Sequence, residues 1–187
     1  MKEQNLKFPK IDKKWTLFLD RDGVINEKIE NGYVLNIQML KFLDNVLPAF
    51  PILSQIFGKI IVVTNQRGIG KNLMSIEDLE SIHRFMLREI QKAHGRIDAI
   101  FYCPHDYEKE ECNCRKPKIA MALKAKAMFP DIDLKKSIVV GDSKSDMEFA
   151  KNIGAIGVCI GENISGDFDI FYFRDLKAFA GALIEVL

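Results

Sequence analysis

The sequence predicts an α/β fold, a three-layer doubly wound domain built on a mostly parallel sheet of Rossmann-like type. Three observations carry that reading. Short apolar runs alternate with helix-length amphipathic stretches along the whole chain. The runs read as near-continuous hydrophobic segments, as strands covered on both faces do. Several of them end in carboxylate, hydroxyl or amide side chains, and such sheets bind ligands outside the carboxyl ends of their strands.

In chain order, Met1 to Lys14 reads as a polar lead-in, and residues 15–187 as a single domain. Trp15 to Leu19 is a buried strand running into Asp20-Arg21-Asp22-Gly23. Side chains alternate across a strand, so Asp20 and Asp22 are expected on one side of its end and Arg21 on the other. A polar loop follows from Glu27 to Gln38. A helix is expected from about Val46 to Gly58, with Pro48 and Pro51 suiting only its first turn or a broken start. Ile60–Val63 is the second strand, leading to Thr64-Asn65-Gln66-Arg67-Gly68. Ser75 caps the next helix with Asp78 as its capping-box partner; Ile76, Leu79, Ile82, Met86 and Ile90 form the apolar stripe, and Gly95 ends it.

Ala99–Tyr102 is the third strand, and a cysteine-bearing loop follows, closed by Lys116-Pro117, with Pro117 suiting an early helix position. Ala120 to Met128 has high helix propensity. Ile138–Val140 is the fourth strand, ending in Gly141-Asp142-Ser143-Lys144-Ser145-Asp146, and a helix then runs to Gly154. Ala155–Ile160 and Asp169–Phe173 are the last strands, and Asp175 caps the final helix.

Composition narrows the function. At 187 residues, 48% hydrophobic and 28% charged, the chain is long enough for one good core. A net charge of +1 provides no field for nucleic acid or an anionic membrane. No apolar run is long enough to span a bilayer, and the N-terminus lacks the apolar core of a secretion signal, so a cytoplasmic monomer is expected. Cys159 reads as a packed core thiol, and His83 and His94 as surface or partly packed residues far from the motifs. Lys71 reads as a solvated cation, because Asn65 and Asn72 break the Walker pattern around it.

Asp20 and Asp22 crowd two carboxylates at one strand end, which a divalent cation or a shared proton relieves. Taken alone they fit either phosphoryl transfer or an ordinary Asp-Gly turn. Cys103, His105, Cys112 and Cys114 lie within one loop, residues 103–117. Three thiolates and an imidazole complete a tetrahedral Zn²⁺ set, so the zinc is expected to be structural. Zinc binding in small peptides is worth about 10–16 kcal/mol, ample to order such a loop.

Four segments then recur in order: Asp20-x-Asp22-Gly23, Thr64-Asn65, Arg115-Lys116-Pro117 and Gly141-Asp142-x-x-x-Asp146. This series resembles the haloacid-dehalogenase superfamily of phosphatases. With Gly32-Tyr33-Val34, Cys103-Pro104-His105 and Cys112-x-Cys114, it resembles the zinc-containing family of heptose-bisphosphate and histidinol-phosphate phosphatases, over about Leu17 to Ile160.

The resemblance implies a haloacid-dehalogenase fold without a large cap domain. It implies Asp20 as nucleophile, Asp22 as general acid and base, and Mg²⁺ held by Asp20, the backbone carbonyl of Asp22 and Asp142. Asp146 supports that shell, orients Lys116, or simply caps a helix. Thr64 and Lys116 would stabilise the transferring oxygens. Arg21, Gly32, Tyr33, Asn65, Gln66, Arg67, Arg115 and Ser143 would hold substrate. The implied substrate is a small phosphorylated sugar or amino alcohol: heptose 1,7-bisphosphate, as the Gly32-Tyr33-Val34 loop favours, in the route to activated heptose, or histidinol phosphate.

Three departures bear on that choice. The loop from His105 to Cys112 is short, which also suits the histidinol-phosphate branch. Lys116-Pro117 is not followed by the frequent Pro-Gly, and Ser143 stands where many members carry a cation. Two other classes remain. A nonenzymatic Asp-phosphorylated signalling domain would not need Asp22. A zinc-stapled nucleic-acid module would need a basic face, whereas Asp106, Glu108, Glu110 and Glu111 make this loop acidic.

Overall fold

The computed structural model describes residues 8–161, 164, 166 and 168–185. Half of the expected lead-in, residues 1–7, lies outside them. Six strands form one all-parallel sheet: β1 (Thr16–Leu19), β2 (Lys59–Asn65), β3 (Ala99–Cys103), β4 (Ser137–Gly141), β5 (Ile156–Ile160) and β6 (Ile170–Phe173), in the spatial order β3-β2-β1-β4-β5-β6. The chain winds outward from β1 through β2 to β3, then crosses back to β4 on the other side of β1. The winding reverses at the β1–β4 boundary, where doubly wound sheets bind ligands.

Strand periodicity assigns the layers. Leu17, Leu19, Ile60, Val62, Ile138 and Val140 pack on one face against α1 (Val46–Ile56), α3 (Ile76–Lys92) and α6 (Leu176–Ile184). Phe18, Ile61, Val63 and Val139 point the other way, onto α4 (Ala120–Met128) and α5 (Lys144–Ile153). Phe18 meets Phe149 of α5 edge-on at 6.3 Å between ring centroids. Each such buried ring contributes about 1.5–3 kcal/mol.

Local chemistry sets the helix ends. The Ser75 hydroxyl accepts from the Asp78 N–H at 3.0 Å, and the Asp78 carboxylate accepts from the Ser75 N–H at 2.9 Å, the expected capping box. The Asp175 carboxylate caps α6 by accepting from the Ala178 N–H at 2.7 Å. Gly154 ends α5 at φ +74°, a conformation that costs glycine little.

Several local expectations are corrected. Pro51 lies inside α1, not in its first turn. Its missing N–H removes one helical bond, offset by burial of Ala49, Phe50, Leu53 and Ile56. Pro117 lies in a turn three residues ahead of α4. The left-handed residue after α3 is His94, at φ +59°, while Gly95 returns its N–H to Ile90 at 2.9 Å. Arg67–Gly70, to which the sequence assigned no element, forms a short helical turn, α2.

Part of the expected lead-in is packed. Ile11 is buried in the core, and the Phe8 ring stacks on Phe171 at 3.8 Å. No helix among the described residues is long and apolar enough to cross a membrane.

Candidate active site and metal centres

Parallel register brings the strand ends to one rim. Leu19 pairs with Val62 and Val140, so Asp20, Thr64, Asn65 and Asp142 emerge at the same edge of the sheet. They border a cavity of about 250 Å³. Asp22, Gln66, Gly32, Tyr33, Arg115 and Ser143 complete the expected part of its wall. Lys28, Ile29, Val34 and Ser145 also line it and were not anticipated.

Asp20, Asp142 and Asp146 each direct a carboxylate oxygen into one cluster, all within 4.8 Å of one another. The buried Lys116 Nζ lies 3.0 Å from Asp20 Oδ1 and 2.5 Å from Asp146 Oδ1. Burial works against the Lys116 charge, but Asp146 and Asp20 outweigh it and raise its pKa. Burial pushes Asp20 up to about 7, with Lys116 opposing and Asp146, Asp22 and Asp142 adding to the rise. Burial likewise raises Asp142, against the pull of Lys28. Asp142 Oδ1 is buried and has no partner among the described residues. Crowded hard oxygens with one orphaned lone pair fit a divalent cation such as Mg²⁺.

Gly23 makes this crowding possible. It sits at φ +85°, and a Cβ there would lie 2.2 Å from Asp142 Oδ2. Asp146 serves two of the expected roles together: Oδ1 holds Lys116, and Oδ2 accepts from the Ser143 N–H at 3.1 Å at the start of α5. Asn65 turns its amide to the Lys116 backbone, accepting from the N–H at 3.0 Å and donating to the carbonyl at 3.4 Å. It thereby positions Lys116, as well as bordering the cavity.

Asp22 is gripped from three directions. Arg21 Nη2 donates to both its oxygens at 2.8 and 2.9 Å, Asn26 Nδ2 to Oδ1 at 2.9 Å and Gln66 Nε2 to Oδ2 at 2.9 Å. Burial alone would raise its pKa, but the Arg21 charge and these hydrogen bonds hold it below the ordinary carboxylate range. Arg21 therefore does not lie where expected. It is fully buried and turned back onto its neighbour, and it does not line the cavity.

Replacing Arg21 with Met should destabilise the fold by about 3 kcal/mol, because Asp22 would lose its buried counter-charge. Urea unfolding of Arg21→Met against the parent reads this directly. A Met variant as stable as the parent would show that the pair holds nothing.

His83 also differs from expectation. It is buried, 6.1 Å from the Tyr102 ring, and close enough to feel the Arg21 charge. Burial first and then Arg21 lower its pKa to about 3. A depressed histidine favours the fold fully above its unfolded pKa of about 6.5, and that contribution is lost as pH falls toward 3. His83→Leu should thus flatten the stability loss between pH 6.5 and 4.5 by about 2 kcal/mol, read by urea unfolding at each pH.

The second centre lies beyond β3. Cys103 Sγ, His105 Nδ1, Cys112 Sγ and Cys114 Sγ converge within 4.8 Å. Burial raises the Cys103 and Cys114 thiols; the Cys114 and Cys112 sulfurs add to the rise at Cys103, whereas at Cys114 the Cys103 sulfur opposes it and Cys112 adds to it. Three sulfurs and one imidazole nitrogen fit tetrahedral zinc, with no position left for a substrate.

Arg67, expected to touch substrate, braces this loop instead. Its Nε lies 2.6 Å from Asp106 Oδ1 and its Nη2 2.5 Å from Glu108 Oε2. Arg67 and Arg115 both lie against the Tyr107 ring, at 4.1 and 4.4 Å from its centroid. Gly70 allows the close approach: its N–H donates to the Pro104 carbonyl at 2.8 Å, and a Cβ would meet the Asp106 N at 2.4 Å.

Comparison with known proteins agrees with this architecture. A family model described as "HAD-hyrolase-like" matches residues 113–170. The D-glycero-alpha-D-manno-heptose-1,7-bisphosphate 7-phosphatase of Campylobacter jejuni is 40% identical over 163 residues, covering 86% of this chain and 91% of that protein. The histidine biosynthesis bifunctional protein HisB of Buchnera aphidicola is 37% identical over 79% of this chain, which spans only 41% of that protein. The crystal structure of D,D-heptose 1,7-bisphosphate phosphatase from B. bronchiseptica, complexed with magnesium and phosphate, superposes with a TM-score of 0.84 at 29% identity, covering 92% of this chain and 99% of that one. A shared sheet and 40% identity along nearly the whole length leave one assignment: the chain belongs to the haloacid-dehalogenase-like phosphatase family that includes the heptose-1,7-bisphosphate 7-phosphatases.

Proposed function

We propose that this protein is a magnesium-dependent phosphomonoester hydrolase that removes the 7-phosphate of D-glycero-D-manno-heptose 1,7-bisphosphate through an aspartyl phosphate on Asp20. The observation that carries the reading is the Asp20 carboxylate at the switch point of the sheet. It borders the cavity, with Lys116 Nζ 3.0 Å from one oxygen and Asp142 alongside.

Asp20 attacks phosphorus, and the bond from phosphorus to the sugar oxygen breaks. Asp22 gives that oxygen its proton, then as carboxylate takes one from the water that attacks the phosphoaspartate and frees inorganic phosphate. The grip of Arg21, Asn26 and Gln66 favours the carboxylate, the form needed for the second step. The negative charge of an arriving phosphate favours the protonated form needed for the first.

Thr64 accepts from Gln66 Nε2 at 2.9 Å, which leaves its own hydroxyl proton for a phosphoryl oxygen. Lys116 offsets the charge that develops there. Asp20, the Asp22 carbonyl and Asp142 would hold Mg²⁺, whose charge lets an anionic carboxylate meet an anionic phosphate. Cys103, His105, Cys112 and Cys114 would hold a structural zinc. A net charge of +1 gives no broad field for nucleic acid or an anionic membrane, and we take the protein to act as a monomer on a small phosphorylated substrate.

Steady-state kinetics on purified protein tests the substrate. We expect kcat/KM for heptose 1,7-bisphosphate to exceed that for histidinol phosphate by at least tenfold. The likeness to HisB makes histidinol phosphate the competing reading, and the reverse order would install it.

A further inference from the structure

We propose that Lys28 is a specificity-determining residue of this cavity, binding the second anionic group of a bisphosphorylated sugar while Asp20 and Lys116 deal with the phosphoryl group that is removed. The inference rests on the phosphatase reading above and adds a residue to it.

A bisphosphate carries a second anionic group, which needs a cation on the cavity wall with donors to spare. Lys116 is committed to Asp20 and Asp146, is buried, and does not line the cavity. Arg21 is committed to Asp22, and Arg67 to Asp106 and Glu108. Neither of them lines the cavity. Ser143 has no charge to offer, and its hydroxyl is engaged with Asp146 at 2.5 Å. Among the described residues, Lys28 and Arg115 remain as cations of the wall; Arg115 lies against the Tyr107 ring, and Lys28 is the one beside Asp142.

Its position is held from both ends. The backbone is pinned next door, where the Glu27 N–H donates to the Lys41 carbonyl at 2.8 Å and closes the base of the loop that carries Gly32 and Tyr33. At the tip, Nζ donates to Asp142 Oδ2 at 2.7 Å. An ammonium has three donors, and only this one has a partner among the described residues. The side chain is 55% exposed, so the remaining donors are accessible from the cavity.

Asp142 can serve two cations at once: Oδ2 holds Lys28, and Oδ1, without a partner, remains for the divalent ion. An ion pair this exposed contributes little to stability. Anchoring the ammonium before substrate arrives does lower the entropy lost on binding an anion.

The test compares the parent, Lys28→Ala and Lys28→Arg on heptose 1,7-bisphosphate, fructose 1,6-bisphosphate and p-nitrophenyl phosphate. In Lys28→Ala we expect the ratio of kcat/KM for either bisphosphate to that for p-nitrophenyl phosphate to fall about tenfold, through KM, with Lys28→Arg restoring most of it. An equal fall on all three substrates, with a weaker response to magnesium, would mean that Lys28 only orients Asp142, and would overturn the proposal. So would an unchanged ratio. Parent enzyme that favours fructose 1,6-bisphosphate over the heptose would instead overturn the heptose assignment, while the Lys28 ratio would still be read.

Discussion

Asp20→Asn should lose phosphatase turnover by about 10³-fold or more while remaining folded. The amide is nearly the same size, so packing at the end of β1 survives. What goes is the nucleophile, since an amide oxygen does not form a stable phosphoester at this position. The substitution also removes one negative charge from a cluster in which Asp20, Asp142 and Asp146 crowd within 4.8 Å. Relieving that crowding should leave stability unchanged or raise it slightly, in contrast to Arg21→Met. Turnover measured beside urea unfolding separates the two effects. Full activity in Asp20→Asn would end the covalent mechanism. A fall in activity matched by unfolding would mean that Asp20 is structural.

Removing one ligand of the second centre should have the other large effect. Cys112→Ser is expected to abolish stoichiometric zinc, lower stability by about 3–5 kcal/mol and reduce Tm by about 6–20 °C. Activity should fall as well, for a reason visible in the chain. Arg115 and Lys116 follow Cys114 directly, and Lys116 must reach Asp20 at 3.0 Å. The loop is also tied to the rim through Arg67–Asp106 and the Tyr107 stack, so loosening it disturbs both sides of the cavity. Metal analysis, a thermal melt and turnover on one preparation check the three effects together. Folded, active and equally stable protein without zinc would show that the four residues are not a staple.

Much of this was legible before folding was considered. Every strand was marked by a run of apolar residues, several with a polar end, and parallel register then carried Asp20, Thr64 and Asp142 to one rim. The cysteine–histidine set was equally legible, because its four residues lie within twelve positions of one another and converge through local geometry. Ser75 and Asp175 announced their helices through side chains that cap only their own turn.

The charged side chains around those points were not legible in the same way. Alternation along a strand suggested that Arg21 faces away from Asp22. A long arginine at a turn is not bound by that rule, and it folded back onto its neighbour where burial made the pair worth forming. Arg67 left the cavity because Asp106, 39 residues on, offered a closer carboxylate. Lys28 gave no signal in its polar loop, since its partner Asp142 lies 114 residues away.

From its residues alone this chain declares a doubly wound sheet, a paired-aspartate strand end and a four-residue cysteine–histidine cluster, because each depends on neighbours in sequence or on strand period. Only the tertiary structure decided which cation meets which carboxylate. Those choices depend on distance and burial between segments far apart in the chain, and no local pattern encodes them.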